Sequence, residues 1–557
     1  MESIIETRVC ANYNQAFGIT EWDKSFYEKI NMVMPTFCPN CRQQRRLAAG
    51  NEMNLYHRKC AYSGEEILSI YSSDKPYIVY KPEIWWSDKF DALSYGMDFD
   101  FSRPFFDQFE ELFLATPHVA VLNNYLLDQN SDYTNYAGSN KNSYLIFHAD
   151  YNEDCYYGYG IKKCKSCMDG FNIFDCELCY ECIDCKNCYN LAYSQNCINC
   201  YDGYFLKDCI GCKNCICCKN LTQKEFYIFN EQVGKDEYNA FLRKNPLSLW
   251  SNVEKLKKEF HEFCLKLPSR ALRMIQTENS FGDQLVNCKN VSYSFDTADM
   301  HDGRYCYQMY NGSKDCMDVY QFGLNAELIY ECNCVGYNCQ RMSFCLKCNE
   351  QISDVFYSHD CYKSSNLFGC TGVRHQQYCI LNKKYSKEEY LALLPRIIQH
   401  MQKTGEWGEF FPIKISPFAY NETPAQDYFP LTKTEALAKG YKWNDNANND
   451  SYIGPIVKLP DSASDANEDI CKQILSCASS GKPYKIIPQE LAFCKRMGIP
   501  LPHHSFKQRH LGRMALRNPR RLWPRTCSKC GGAILTSYAP DRPEIVYCEE
   551  CYLGEVY

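Results

Sequence analysis

No window of eighteen uninterrupted apolar residues occurs in the 557-residue chain, so no membrane-spanning helix is expected. The opening Met1–Arg8 is polar and lacks the basic and then apolar pattern of a secretory signal. Catalytic signatures are missing as well. There is no Walker A loop, no GxGxxG after a strand, no HExxH and no GxSxG. His503-His504 has no carboxylate or thiol partner at motif spacing and reads as surface, so the chain reads as a non-enzyme. Strong charge imbalance is also lacking. A formal net charge of −6 argues against nucleic acid coating the whole surface. One local absence points the other way: Leu491 to Pro540 contains neither Asp nor Glu.

What the chain has in excess is cysteine (38), tyrosine (44) and phenylalanine (31). So many cysteines without a secretion signal imply reduced thiols in the cytoplasm, used for metal or packing rather than for disulfides. The adjacent Cys217 and Cys218 fit an exported disulfide scaffold poorly.

The two ends of the chain are copies of one module, 467 positions apart. Cys477 matches Cys10, Phe493 Phe26, Pro502 Pro35, Arg509 Arg42, Arg513 Arg46 and Asn518 Asn51. The register continues through Arg525 on Arg58 and Cys527 on Cys60 to Val546-Tyr547 on Val79-Tyr80. Chance does not hold one register over about seventy residues.

Superposed, the copies define two four-residue ligand sets, and each copy keeps a different one. The C-terminal copy has Cys527-x2-Cys530 and Cys548-x2-Cys551 complete, the spacing of a zinc ribbon or treble clef. The N-terminal copy keeps Cys60 alone of that set, opposite Ser63, Lys81 and Ile84. It retains instead Cys10, Cys38 and Cys41, with Tyr13 in the fourth position and His57 as the nearest substitute ligand. That site either holds a second zinc or is a decayed one whose thiols pack as small hydrophobes.

From Cys155 to Cys218 every cysteine but Cys217 falls on one residue class modulo three. A longer spacing of 21 relates Cys155, Cys176, Cys197 and Cys218, and also Cys167, Cys188 and Cys209. Asp154, Asp175, Asp184, Asn187, Asn196, Asn199 and Asp208 each precede a cysteine. This pattern suggests stacked coils of a β-solenoid, with cysteine inward and Asn or Asp at corners where the backbone turns left-handed. A second block, Cys288 to Cys379, repeats the theme less strictly and matches the first at an offset of 152. Both blocks end in an apolar strand and a helix that would cap an open coil end. The run Cys176, Cys179, Cys182, Cys185, Cys188 also resembles iron–sulfur ligands, which leaves a metal or redox role as an alternative. The triplet nevertheless runs past any four ligands and has no following proline.

Helices are expected from Ser102-Arg103-Pro104 through Phe113, over Asn252–Leu267, over Ser386–Gln402 with an interruption at Pro395, and near Lys433–Lys439. The resulting fold class is mainly β: a duplicated cysteine-rich β-solenoid with short helices, flanked by duplicated zinc-ribbon or treble-clef-like modules. Its serial parts are a partly degenerate N-terminal module (1–100), a helix and solenoid entry (101–150), block one with capping helices (151–270), block two (271–404), a linker (405–470) and a basic C-terminal module (471–557).

Arg509, Arg513, Arg517, Arg520, Arg521 and Arg525 fall in the acid-free window, and Arg42, Arg45 and Arg46 are the N-terminal counterpart. With aromatic residues interleaved, these suit phosphate contacts to RNA, single-stranded DNA or a ribonucleoprotein. The same charge could instead pair with acidic residues of this chain. A protein partner on the tyrosine-rich faces is the other reading, with no membrane and an oligomeric state left open.

The segments Cys38-Pro-Asn-Cys-Arg-Gln-Gln-Arg-Arg-Leu-Ala, Trp85-Trp86-Ser87-Asp88-Lys89 and Phe99-Asp-Phe-Ser-Arg-Pro-Phe-Phe106 resemble a family of cysteine- and tyrosine-rich zinc-module proteins from uncultured, small-genome bacteria. The ending Tyr538-Ala-Pro-Asp-Arg-Pro-Glu-Ile-Val-Tyr-Cys548 carries the same resemblance, which spans nearly the whole chain. It implies zinc modules with both ligand sets, including cysteines where this chain has Tyr13, Ser63, Lys81 and Ile84. Some members bear a CoA-transferase-like label that these residues do not support.

Overall fold

A computed structural model describes residues 3–308, 317–318, 330–336, 346–349, 352–445 and 457–556. Helix and strand contribute 27% each, in small sheets of two to five strands, rather than the mainly β composition expected. The reason lies in the cysteine blocks, where most inter-chain-segment pairing is by isolated bridges and little of the backbone runs extended.

In the first block, residues twelve apart pair in parallel: Lys141 with Glu153, Glu153 with Lys165, Lys165 with Glu177 and Glu177 with Tyr189. The repeat is therefore twelve, not 21. Both are multiples of three, and the modulo-three pattern of the sequence could not separate them. From Ser139 to Phe226 every third residue lies at φ between +46° and +66°. Four such corners close each turn. The triplet consists of a residue that bridges outward, a left-handed corner residue and an inward residue. Its backbone is satisfied by neighbouring turns, as when Tyr156 N–H donates to Cys167 C=O (3.0 Å) and Tyr157 N–H to Tyr144 C=O (2.9 Å).

A left-handed L-residue costs roughly 1 kcal/mol, least for Asn and Asp. The expected corners Asp154, Asp175, Asp184, Asn187, Asn196, Asn199 and Asp208 all adopt it. Their side chains also link successive turns: Asn142 Nδ2 to Asp154 Oδ1 (3.2 Å), Asn172 to Asp184 (3.3 Å) and Asn196 to Asp208 (3.1 Å). Cys217, the exception in the residue class, sits at a corner and packs outward with Phe205, Ile216 and Tyr238.

The inward cysteines form one buried column. Each inward position also carries backbone groups with no room for water, and the thiol meets that need. The single S–H proton of Cys167 is shared between Lys165 C=O and Cys176 C=O, both 3.4 Å from the sulfur. Where serine takes the position, its hydroxyl does the same and accepts the inward N–H twelve residues later: Ser143 Oγ from Cys155 N–H (3.3 Å), Ser194 Oγ from Leu206 N–H (3.1 Å), Ser358 Oγ from Cys370 N–H (3.1 Å). The second block follows the same plan less regularly, with pairs eleven apart (Glu278 and Lys289), twelve apart (His359 and Thr371) and thirteen apart (Arg304 and Met317).

Both blocks end in a short antiparallel hairpin, Glu225–Ile228 with Glu231–Gln232 and Gln377–Ile380 with Lys383–Lys384. Helices Lys235–Lys244 and Lys387–Thr404 follow, the latter opened by a Ser386 capping box and continuing through Pro395 rather than breaking there. The other expected helices form over Phe105–Ala115, Trp250–Leu265 and Lys433–Ala438.

The chain forms two compact units that regroup the serial parts. One comprises Met1–Ala120, Leu272–Asn444 and Arg520–Leu522, uniting the N-terminal module with the second cysteine block. The other comprises Val121–Ala271, Asp445–Pro519 and Trp523–Tyr557, uniting the C-terminal module with the first. No helix among the described residues is long and apolar enough to cross a membrane.

Candidate metal centres

In the C-terminal module the hairpin of strands Trp523–Thr526 and Ala533–Thr536 presents Cys527 and Cys530 on its turn. The turn closes by Gly531 N–H to Cys527 C=O (2.9 Å) and Cys527 N–H to Gly532 C=O (2.8 Å). Gly531 has φ +74°, the geometry a residue without Cβ adopts most easily. Cys548 and Cys551 arrive at the start of helix Glu549–Val556. The four sulfurs lie within 4.8 Å of one another and could hold a metal ion. Backbone N–H groups already face them, Cys548 N to Cys527 Sγ at 3.2 Å and Cys551 N to Cys548 Sγ at 3.4 Å. Burial pushes the Cys527 thiol up, but the N–H groups of Cys530, Cys548 and Lys529 outweigh it and bring it down to about 6. Cys551 is pushed up to about 12, first by the Cys548 sulfur and then by burial. A divalent ion would relieve this competition by taking all four as thiolates.

The N-terminal module brings Cys10, Cys38 and Cys41 equally close. Cys10 Sγ is 3.5 Å from Cys41 Sγ, Cys38 N–H donates to Cys10 Sγ (3.4 Å), and Asn12 Nδ2 donates to Cys41 Sγ (3.4 Å). His57 lies exposed on strand Tyr56–Lys59, paired with Leu68 and outside the thiol cluster. Tyr13 stands beside the thiols instead, its hydroxyl donating to Gln44 Oε1 (3.0 Å). The Cys41 sulfur is the main cause that lowers Cys38 to about 6.

The decayed sets keep one cysteine each in the same amide cradle. Cys60 Sγ accepts from Lys81 N–H (3.4 Å). Cys477 is brought down to about 5, burial opposing and the Ser480 hydroxyl and Ser505 N–H prevailing. All described cysteines are free thiols.

The arginines proposed for phosphate contacts turn mostly inward. In the first unit Arg42 and Arg46, on helix Pro39–Leu47, are buried against Asp318, and Arg46 lies 3.9 Å from Glu331. Arg45 is held by Phe410 C=O (2.7 Å) and Glu409 (3.3 Å), and Arg520 by Asp296 (2.8 Å). In the second unit the duplicate helix Phe506–Ala515 repeats the contact: Arg509 to Asp169 (3.0 Å) and Glu490 (2.9 Å), Arg513 to Asp169 (2.8 Å), with Arg517 following on Asp184 (2.8 Å). Asp169, Asp184, Asp296 and Asp318 are all left-handed corners. The residue type that eases the turn thus also supplies an outward carboxylate. Tyrosine completes the latch, the Arg509 guanidinium lying 4.7 Å over the Tyr157 ring. Arg525 is half-buried on the carbonyls of Ala539 (3.2 Å) and Glu544 (3.4 Å), while Arg521 is exposed.

No family model, no curated protein and no solved structure matches this chain.

One ligand cluster has no sequence signature. His118, His359 and Asp360 meet in the first unit with their ligand atoms within 4.8 Å of one another. They come from segments far apart in the chain, and only the packing of the module on its block joins them.

Proposed function

We propose that the chain is a non-enzymatic architectural protein in which two cysteine-lined β-solenoids are each latched by a zinc-type module, offering their faces to a protein partner. The single observation carrying this reading is the repeated burial of Arg42 and Arg46, and of Arg509 and Arg513, on corner aspartates of the block each module covers. A basic helix spent on an internal aspartate is not presented to phosphate. Zinc suits the Cys527, Cys530, Cys548, Cys551 set, since four thiolates favour a closed tetrahedral structural site. The ladder thiols are engaged in donating to backbone carbonyls, which favours packing over an iron–sulfur role.

The test pairs metal analysis with titration of single-stranded RNA at several salt concentrations. One or two zinc ions per chain and no salt-dependent RNA affinity support the proposal. Steeply salt-dependent binding that is lost on replacing Arg521 and Arg525 by Glu would restore the nucleic-acid reading. Iron with visible absorbance would move the function to redox chemistry.

A further inference from the structure

The cluster of His118, His359 and Asp360 combines features that ordinary core packing does not require. All three residues are no more than 2% exposed. His118 opens the strand His118–Val119, which pairs in parallel with Val79–Tyr80. Its Nε2 lies 2.8 Å from Phe113 C=O. A carbonyl only accepts, so Nε2 carries the proton in this contact. His359 Nδ1 is buried and makes no hydrogen bond, although Asp360 Oδ2 lies 3.2 Å away. Beside His359 is a cavity of about 20 Å³, walled by Phe109, Phe113, Phe410 and Ile415, with room for one water.

The duplicate half supplies the second argument. Strand Ser269–Arg270 pairs with Val546-Tyr547 as His118–Val119 pairs with Val79-Tyr80, so Ser269 is the counterpart of His118. The offset of 152 sets Lys207-Asp208 opposite His359-Asp360 and Lys219 opposite Thr371. Identical amide clamps confirm that register: Asn230 bonds both N–H and C=O of Lys219 (2.9 and 2.8 Å), and Asn382 bonds both of Thr371 (2.8 Å each). In that half a cation is built in. The Lys219 ammonium donates to Ser269 Oγ (2.9 Å), Cys264 C=O (3.1 Å) and Leu267 C=O (3.1 Å). In the other half threonine replaces the ammonium, and two imidazoles and a carboxylate gather at the equivalent place.

We propose that His118, His359 and Asp360 form a third metal site, taking a divalent transition ion through nitrogen and oxygen where its duplicate holds a lysine ammonium. Two imidazoles and one carboxylate suit Zn²⁺, Fe²⁺ or Co²⁺ at about 2.0–2.2 Å, with water as the fourth ligand.

The full-length protein, stripped and reloaded with Co²⁺, provides the test. The thiolate centres give intense sulfur-to-cobalt charge transfer in the near ultraviolet. The site proposed here gives one further equivalent with weak visible bands and no charge transfer. X-ray absorption at the cobalt edge of the wild type must show imidazole scattering. The variant H118S/H359K/T371K, which rebuilds the lysine half, is expected to lose that equivalent and keep the charge-transfer bands. Absence of imidazole scattering in the wild type, or a variant that retains the extra equivalent, overturns the proposal. Because wild-type scattering decides on its own, a variant that fails to fold does not rescue it. Charge transfer without the extra equivalent defeats this site alone, and the converse defeats only the thiolate centres.

Discussion

Cys164 offers a direct test of why the inward column is made of cysteine. Its single S–H proton has the carbonyls of Lys162 and Ile173 within reach at 3.4 Å each, and the Cys176 N–H faces the sulfur. One turn earlier the same column uses an amide, Cys164 N–H donating to Asn152 Oδ1 (3.0 Å) and Asn152 N–H to Asn140 Oδ1 (3.1 Å). Cys164→Ala leaves the Cys176 N–H without an acceptor, about 1–3 kcal/mol. It also opens a sulfur-sized void, about 1 kcal/mol more. The sum is about 2–4 kcal/mol. Cys164→Ser keeps a donor and an acceptor and is expected to cost about 1 kcal/mol. Thermal unfolding should therefore rank wild type above Ser above Ala, and amide exchange at Cys176 should lose protection only in the Ala variant. If alanine proves as stable as serine, or more so, the sulfur is mere apolar filler and the hydrogen-bonding account of the ladder is wrong.

Replacing Asp169 by Ala removes the carboxylate of the buried Arg513 and leaves Arg509 with Glu490 alone, at a cost of about 3–5 kcal/mol. Helix Phe506–Ala515 should then become protease-sensitive, whereas Arg521→Ala, at an exposed position, should stay within about 0.5 kcal/mol of wild type. Cys548→Ser is expected to release the C-terminal ion, a loss on the order of 10 kcal/mol of module stability. Cys60→Ser should leave the metal count unchanged, and both outcomes can be read with a chromogenic chelator. Burial raises Glu331 to about 7 against the pull of Arg45 and Arg46. A carboxyl whose folded pKa exceeds its unfolded one favours the folded state at low pH and loses that contribution as pH rises through about 4.5 to 7. Glu331→Gln should flatten this slope in a pH series of melting temperatures.

The terminal duplication, the Cys527, Cys530, Cys548, Cys551 set, the inward cysteines and the Asn or Asp corners were legible because each is a local repeat written in residue type. The turn length was not, since any multiple of three satisfies the pattern and only the pairing of Lys141 with Glu153 fixes it at twelve. The start of helix Phe105–Ala115 shows the same limit. Expected from Ser102, it begins at Phe105, where the Glu406 carboxylate accepts from Phe105 and Phe106 N–H at 3.0 and 2.8 Å, from three hundred residues away.

By itself, then, the sequence determined the module, its thiolate spacing and the triplet rhythm, because neighbours in the chain enforce turns, knuckles and corners. Tertiary structure alone decided that each module packs on the block more distant from it in the chain, that the basic helices face inward, and that His118 meets His359 and Asp360. Those outcomes depend on which carboxylate an arginine reaches once both are buried, and no local pattern encodes that choice.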